Sequence, residues 1–153
     1  MKLRNFILMI CLCCSFAAFA QDDVFDRLSD MDGVTAVYIS KSMFGSMKGM
    51  DMGSLDISKV AGKIEAMQVL TAEKTKAAQA IKTEVDKLVK NKDYEIMMKV
   101  KDSDSKVAFY VKRENNKIKG LLMLVDETPK EYTIIQIKGD LSLKEIQDIT
   151  NSQ

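Results

Sequence analysis

The chain has 153 residues, with 23 basic and 22 acidic side chains, no histidine, no tryptophan, and three cysteines that all lie within the first twenty residues. This balance of charge lacks the concentrated basic surface that nucleic-acid binding requires, so no nucleic-acid partner is expected. Without histidine, a Ser-His-Asp triad and the usual near-neutral general base are both excluded.

The amino-terminal residues have the pattern of a secretory signal peptide. Lys2 and Arg4 precede an apolar run, and small residues then lead to a cleavage point after Ala20. We therefore predict a signal peptide over residues 1–20 and a single mature domain over residues 21–153, exported to the periplasm or secreted. Cleavage leaves 21 basic and 22 acidic side chains, a net charge near −1 and no cysteine.

The three cysteines of the leader raise the alternative of a lipoprotein. Of Cys11, Cys13 and Cys14, the last two lack the small residue that normally precedes a lipidated cysteine. Cleavage after Ala20 is the favoured interpretation, and the mature domain then has no disulfide to stabilise it. Its sequence contains no apolar run of the roughly 20 residues that a membrane-spanning helix requires.

The first half of the mature chain predicts helices and strands in alternation. A short helix is expected over residues 22–31 and a strand over residues 34–39, which are rich in β-branched side chains. A helix capped by Ser40 and ended by Gly49 follows. A second strand is expected over residues 64–70.

The longest helix is predicted over residues 72–90, with Thr71 as its cap. Apolar side chains recur there at steps of three and four residues, which is typical of a helix that buries one stripe. The stripe consists of Ala77, Ile81, Val85 and Leu88.

From Tyr94 onward the apolar period changes to two, which predicts four consecutive antiparallel strands. Turns are expected at residues 102–105, at Asn115-Asn116 and at Pro129, and Gly139 is expected to end the last strand. The strand over residues 118–125 is apolar on both faces, so something should cover each face.

The final helix, over residues 143–150, has a capping box in Ser142 and Glu145 and a hydrophobic staple in Leu141 and Ile146. Together these elements predict an α+β fold: an antiparallel-rich sheet that ends in a four-strand meander, with helices mainly on one face.

Two groups of apolar residues are candidates for binding. A methionine cluster could hold Cu(I) through its thioethers, but no histidine or cysteine supports it, so packing or contact with a partner is favoured. A strand face in the meander could contact an envelope protein or an apolar ligand. The candidates are Met43, Met47, Met50 and Met52 in the cluster, and Leu121, Met123 and Val125 on the strand.

Acidic residues give weaker signals. The segments 30–33 and 102–105 resemble the start of a calcium loop, but Lys41 and Arg113 stand where the last acidic ligand belongs, so both are predicted to be turns. Glu84 lies among lysines on the polar face of the long helix, where a solvated charge network is expected. No metal and no cofactor is predicted.

Several strand and turn motifs of the mature chain are similar to one known family. They are Met31-Asp32-Gly33-Val34, Val37-Tyr38-Ile39-Ser40-Lys41, Val107-Ala108-Phe109-Tyr110-Val111-Lys112, Ile118-Lys119-Gly120-Leu121 and Ile137-Lys138-Gly139-Asp140-Leu141. The chain thereby resembles an uncharacterised Bacteroidetes envelope family, the domain of unknown function 4252. Many of its members look like lipoproteins, and the resemblance implies neither an activity nor any site residue.

Three functional hypotheses follow from these residues. The favoured hypothesis is a non-enzymatic envelope module that binds a partner protein or an apolar ligand. A metal or stress-related envelope sensor built on the methionine cluster is the second, and an enzyme whose carboxylates converge in the folded protein is the third. The missing catalytic side chains argue against an enzyme.

Overall fold

The computed structural model describes residues 20–46, 60–90, 93–127 and 129–150. These residues form six strands, four α-helices and one 3-10 turn. In chain order they are α1 (Ala20–Ser29), β1 (Val34–Ser40), α2 (Lys41–Ser46), the 3-10 turn (Ala61–Lys63), β2 (Ile64–Ala72), α3 (Thr75–Lys90), β3 (Tyr94–Lys101), β4 (Lys106–Glu114), β5 (Lys117–Glu127), β6 (Glu131–Leu141) and α4 (Leu143–Thr150).

The six strands form one sheet in the order β1-β2-β6-β5-β4-β3, and every neighbouring pair is antiparallel. The strands β3 to β6 are the predicted four-strand meander, and β2 attaches to it through β6. The predicted α+β class and the antiparallel sheet are therefore confirmed.

Short polar turns connect the strands of the meander. Asn115 and Asn116 both have positive φ angles, 50° and 65°, which is the geometry of a two-residue hairpin turn and one that asparagine tolerates. Between β3 and β4, the backbone N–H of Asp102 donates to the carbonyl of Ser105 at 2.9 Å, and the N–H of Ser103 donates to the Asp102 carboxylate at 2.6 Å. The segment 102–105 is thus a turn, as predicted.

The two longest helices, α1 and α3, pack against the same face of the sheet, which we call the covered face. Phe25 of α1 and Ile81 of α3 share a core with Leu122 and Ile134 of the sheet. The predicted stripe of α3 is confirmed, since its first three residues are buried and the fourth packs against them. Lys82 also joins α3 to the sheet, through a 2.6 Å ion pair with the Asp126 carboxylate.

The shorter helical elements pack against the opposite face. Phe44 of α2, Val60 before the 3-10 turn and Ile146 of α4 share a second core with Leu121 and with neighbouring strand residues. Successive residues of a strand point to opposite faces, so Leu121 and Leu122 place the two cores on the two sides of β5.

Two residues that were predicted to mark the boundary of an element do not do so. Thr71 does not cap a helix: β2 continues through Ala72, because Thr71 pairs with Thr35 of β1 on one side and Thr133 of β6 on the other. Sheet pairing on both sides outweighs the local capping preference, and α3 begins only at Thr75.

Gly139 does not end β6, which continues to Leu141. A Cβ atom at Gly139 would collide with the backbone carbonyl oxygen of Lys63. The glycine therefore permits the close approach of the 3-10 turn to the sheet, which is a packing role that a turn signal in the sequence does not distinguish from strand termination.

The predicted capping box of α4 is confirmed. The backbone N–H of Ser142 donates to Glu145 at 2.8 Å, and the N–H of Glu145 donates to the Ser142 hydroxyl at 3.3 Å. Leu141 and Ile146, the two residues of the predicted staple, are both buried in the second core.

Candidate binding surface

The side of the sheet opposite the covered face carries a row of apolar side chains that crosses all six strands. The strand register places these residues side by side. From one edge to the other, the row is Val37, Val69, Ile135, Met123, Phe109 and Met98. A second row beside it is Thr35, Thr71, Thr133, Val125, Val107 and Val100. We call these two rows the apolar platform.

None of the twelve platform residues is fully buried. Val37 and Val100, at the two ends, are each 48% exposed, and the residues between them on the inner strands are partly exposed. No charged side chain interrupts the platform. With strands about 4.8 Å apart, six strands give a surface about 24 Å wide.

The neighbouring row on the same face is covered. Met67, Ile137, Leu121 and Val111 lie side by side there, and all four are buried with residues of α2 and α4. This face is therefore covered over one half and open over the other.

The three candidate binding residues that the sequence predicted on β5 lie in different halves of this face. Met123 and Val125 lie on the platform and are partly exposed. Leu121 does not contribute to an exposed face, because it is only 4% exposed in the second core. The prediction that all three residues form one exposed face is thus wrong for Leu121, since the local pattern gave no sign of which half the short helices cover.

Acidic side chains border the platform at the end that carries the second row. Glu127 and Glu131 lie opposite each other in the register, two positions beyond Val125 and Thr133 on the same face. The Thr133 hydroxyl donates to the Glu131 carboxylate at 2.7 Å. Two carboxylates directly opposite each other repel, so a cation arriving at this border would be favoured.

A polar cleft lies on the covered face, near the β1 edge. It has a volume of about 460 Å³. Its lining includes Tyr38 of β1, Gln68 of β2, Lys138 of β6, and Asp26 and Ser29 of α1. These groups can hold a small polar molecule by hydrogen bonds, but one acidic side chain is not the pair of carboxylates that the enzyme hypothesis requires.

A buried amide lies beside this cleft. Gln136 is 3% exposed, lies directly opposite Gln68 in the register, and its Oε1 atom has no hydrogen-bond partner among the described residues. Burial also lowers the pKa of Lys138, two residues further along β6. The signal for this site in the sequence is a single glutamine inside an otherwise apolar stretch of β6, which the predicted site residues do not include.

Of the methionine cluster, only Met43 falls within the described residues. It is 54% exposed on α2. Met47, Met50 and Met52 lie outside them, so a Cu(I) site there stays a prediction, which titration calorimetry with Cu(I) under reducing conditions tests. Within the described part of the chain, histidine, cysteine and acidic side chains form no group that could hold a metal ion.

Among the residues that the structure describes, three carboxyl groups have clearly perturbed pKa values, and lysines are the main cause for each. A hydrogen bond from Lys63, assisted by Ser142, lowers the pKa of Glu145 to about 2. Lys87 lowers the pKa of Glu84, and Lys117 lowers that of Asp140. None of the three has the raised pKa that a catalytic acid in a carboxylate pair requires.

Glu84 lies between Lys87, at 2.7 Å, and Arg27 of α1, at 3.9 Å. This confirms the predicted charge network on α3.

Among the helices of the described residues, none is long and apolar enough to cross a bilayer. A family model whose description is a domain of unknown function, DUF4252, matches residues 25–149. The comparisons found no similar curated protein and no similar solved structure.

Proposed function

The chain belongs to the DUF4252 family, and from this premise we propose that it is an exported cell-envelope protein that acts as a non-enzymatic binding module through the apolar platform. The observation that supports the proposal most is the row of six apolar side chains, one on each strand, of which none is fully buried. A contiguous exposed apolar surface is typical of an interaction site.

The platform fits a protein surface better than a small apolar ligand. Small molecules bind in concave pockets that bury most of their surface, whereas the platform is a pleated sheet face about 24 Å wide. Its twelve residues are fewer than the 20 to 30 residues per side of a typical interface, as expected for the apolar centre of a larger contact.

The border of the platform supports a partner with a positive charge on one side. Glu127 and Glu131 lie opposite each other at one end. A lysine or arginine of the partner would relieve their repulsion and orient the complex. The proposed partner is therefore an envelope protein with an apolar contact surface and a basic margin on one side.

Site-specific photocross-linking in the cell that makes the protein tests this proposal. A benzoylphenylalanine replaces Met123, in the middle of the platform, or Ile96, which is 48% exposed on the covered face and serves as the matched control. The probe at Met123 should give a discrete cross-linked product with another protein, and the probe at Ile96 should not.

The charge of the border provides the second arm of this experiment. Replacing both Glu127 and Glu131 with lysine should reduce the yield of the Met123 product, because the basic margin of the partner would then be repelled. Equal products from both probe positions, or a Met123 product that does not respond to the charge reversal, would contradict the proposal.

Export is tested separately, by mass spectrometry of the amino terminus of the native protein. The expected mature terminus is Gln21. An intact Met1 on protein recovered from the cytosol would overturn the export part of the proposal without affecting the platform.

A further inference from the structure

The sheet has two edge strands, β1 and β3, and only β3 has features that discourage pairing with another chain. An edge strand presents unpaired backbone N–H and C=O groups, and proteins commonly protect such edges with lysines and bulges. In β3, the register shifts between Ile96 and Met98, which is a bulge, and Lys99 and Lys101 are both exposed.

The strand β1 lacks every one of these features. It contains no charged residue and no proline, and it pairs with β2 over seven consecutive residues without a register shift. Val37 is 48% exposed and Tyr38 is 64% exposed, and no strand of the described residues lies beyond β1. A regular, uncharged and apolar edge of this kind is a template for a further strand.

We propose that β1 pairs antiparallel with β1 of a second copy of this chain, about a twofold axis at Val37. In this register Ala36 lies opposite Tyr38 of the second copy, and Thr35 lies opposite Ile39. The two side chains of each pair lie on the same face of the combined sheet, because side chains alternate between the faces along each strand and both residue numbers of a pair are odd or both are even. No like charges meet within the strand, and the two sheets join into one of twelve strands.

The charges just outside β1 complement each other in the same register. The pairing ends with Ser40 opposite Val34 of the second copy, so Lys41, the first residue of α2, follows at the same end of the contact as Gly33 and Asp32 of the second copy. The symmetry creates this contact twice. Both side chains are available, since Lys41 is exposed and the Asp32 side chain is 99% exposed, with only a 3.5 Å contact to Lys74, whose side chain is 67% exposed. This complementarity is the reason to assign the edge to a second copy and not to an unrelated strand.

Dimerisation completes both surfaces described above. Tyr38 of the second copy lies across from Ala36, which lines the polar cleft, so each cleft gains an aromatic hydroxyl from the other copy. On the opposite face, the six-residue row of the platform continues through Val37 into the same row of the second copy.

Sedimentation equilibrium of the purified mature chain tests the contact with two matched variants. Val37 and Val100 are the same residue type, equally exposed, on the same face and at opposite edges of the sheet. The wild-type protein should be a dimer, Val37→Asp should be a monomer because two carboxylates meet at the twofold axis, and Val100→Asp should remain a dimer. Circular dichroism checks that both variants are folded.

A wild-type protein that stays monomeric over the accessible concentration range would overturn the proposal. Equal dissociation of both variants would also overturn it, because a dimer formed by stacking of the platforms would respond to either edge.

Charge exchange tests the register itself. Lys41→Asp and Asp32→Lys should each weaken the dimer by about tenfold, since two exposed ion pairs become repulsive in each case. The double variant restores opposite charges and should recover the wild-type dissociation constant. Failure of the double variant to recover would exclude this register, whichever partner the platform binds.

Discussion

The two faces of the sheet consist of similar apolar strands but differ in how much of each face the helices cover. Over the covered face, α1 and α3 bury a core that reaches from Phe25 to Ile134. Over the other face, the short elements around Phe44 and Ile146 bury one half of the sheet and leave the platform open. The same sheet thus packs against a core on both sides and, over half of the second face, offers an uncharged and partly exposed surface.

This difference distinguishes two roles of an apolar side chain on a strand, which are packing in the core and contact with a partner. Leu122 and Met123 are consecutive residues of β5, but the first is fully buried and the second is partly exposed. Burial of a large side chain contributes roughly 1.5–3 kcal/mol to folding, and a side chain that stays in water contributes little. Val69, Phe109 and Ile135 of the platform pack against the second core, so contact with a partner is needed to explain only the apolar surface that they and their neighbours leave exposed.

The largest expected effect tests this comparison directly. Leu122→Ala removes a fully buried side chain and should lower the free energy of unfolding by about 2–5 kcal/mol. Met123→Ala should lower it by less than about 1 kcal/mol, because the side chain is already partly in water. Urea unfolding followed by circular dichroism measures both. Similar losses for the two variants would show that the platform is covered in the folded protein.

The second-largest expected effect concerns the half of the sheet that packs against α2, the 3-10 turn and α4. Gly139→Ala introduces a Cβ atom against the Lys63 carbonyl and should destabilise the protein by about 1–3 kcal/mol, because the 3-10 turn must move away from β6. The control is Gly45→Ala in α2, where a Cβ meets no atom within 4 Å and alanine should stabilise by about 0.5–1 kcal/mol. Equal changes in the unfolding midpoints would contradict the close approach.

The smallest effect concerns α4, which helps to cover that same half. The pKa of Glu145 is lowered from 4.5 to about 2, so its carboxylate stabilises the folded state above pH 4.5 and loses this contribution as the pH falls toward 2. Glu145→Gln should therefore reduce the loss of stability between pH 6 and acid by about 1 kcal/mol at most, because the Lys63 side chain of this ion pair is half-exposed. Chemical unfolding at a series of pH values measures this difference.

Glu65→Gln is the matched control for that experiment. Glu65 is an exposed carboxylate of β2 with no ion pair among the described residues. This substitution removes one negative charge outside the capping box and therefore controls for the change in net charge. If Glu145→Gln unfolds with the same pH dependence as the wild-type protein, the capping box and Lys63 do not stabilise the ionised form of the Glu145 carboxyl group.

Local patterns in the sequence predicted much of the fold. The period-two alternation from Tyr94 onward predicted the meander, and the capping box and staple around Ser142 predicted α4, because both signals depend on residues close together in the chain. The predictions for Thr71 and Gly139 failed for the opposite reason. Each residue is placed by a distant segment, Thr71 by strand pairing with β6 and Gly139 by contact with Lys63.

The candidate surface was predictable only in part. Met123 and Val125 were identified from the two apolar faces of their strand, but the row that they complete on the other five strands depends on register. The absence of Leu121 from the exposed surface depends on where the short helices pack. Both facts involve residues far apart in the chain.

The sequence by itself determined which segments become strands and helices, which side chains are apolar, and that residues 21–153 contain no histidine or cysteine, since these are local or compositional properties. The tertiary structure decided which apolar residues stay in contact with water and which edge of the sheet is left without lysines or a bulge. These outcomes depend on how six strands align and on how far each helix reaches over them, which no single segment specifies.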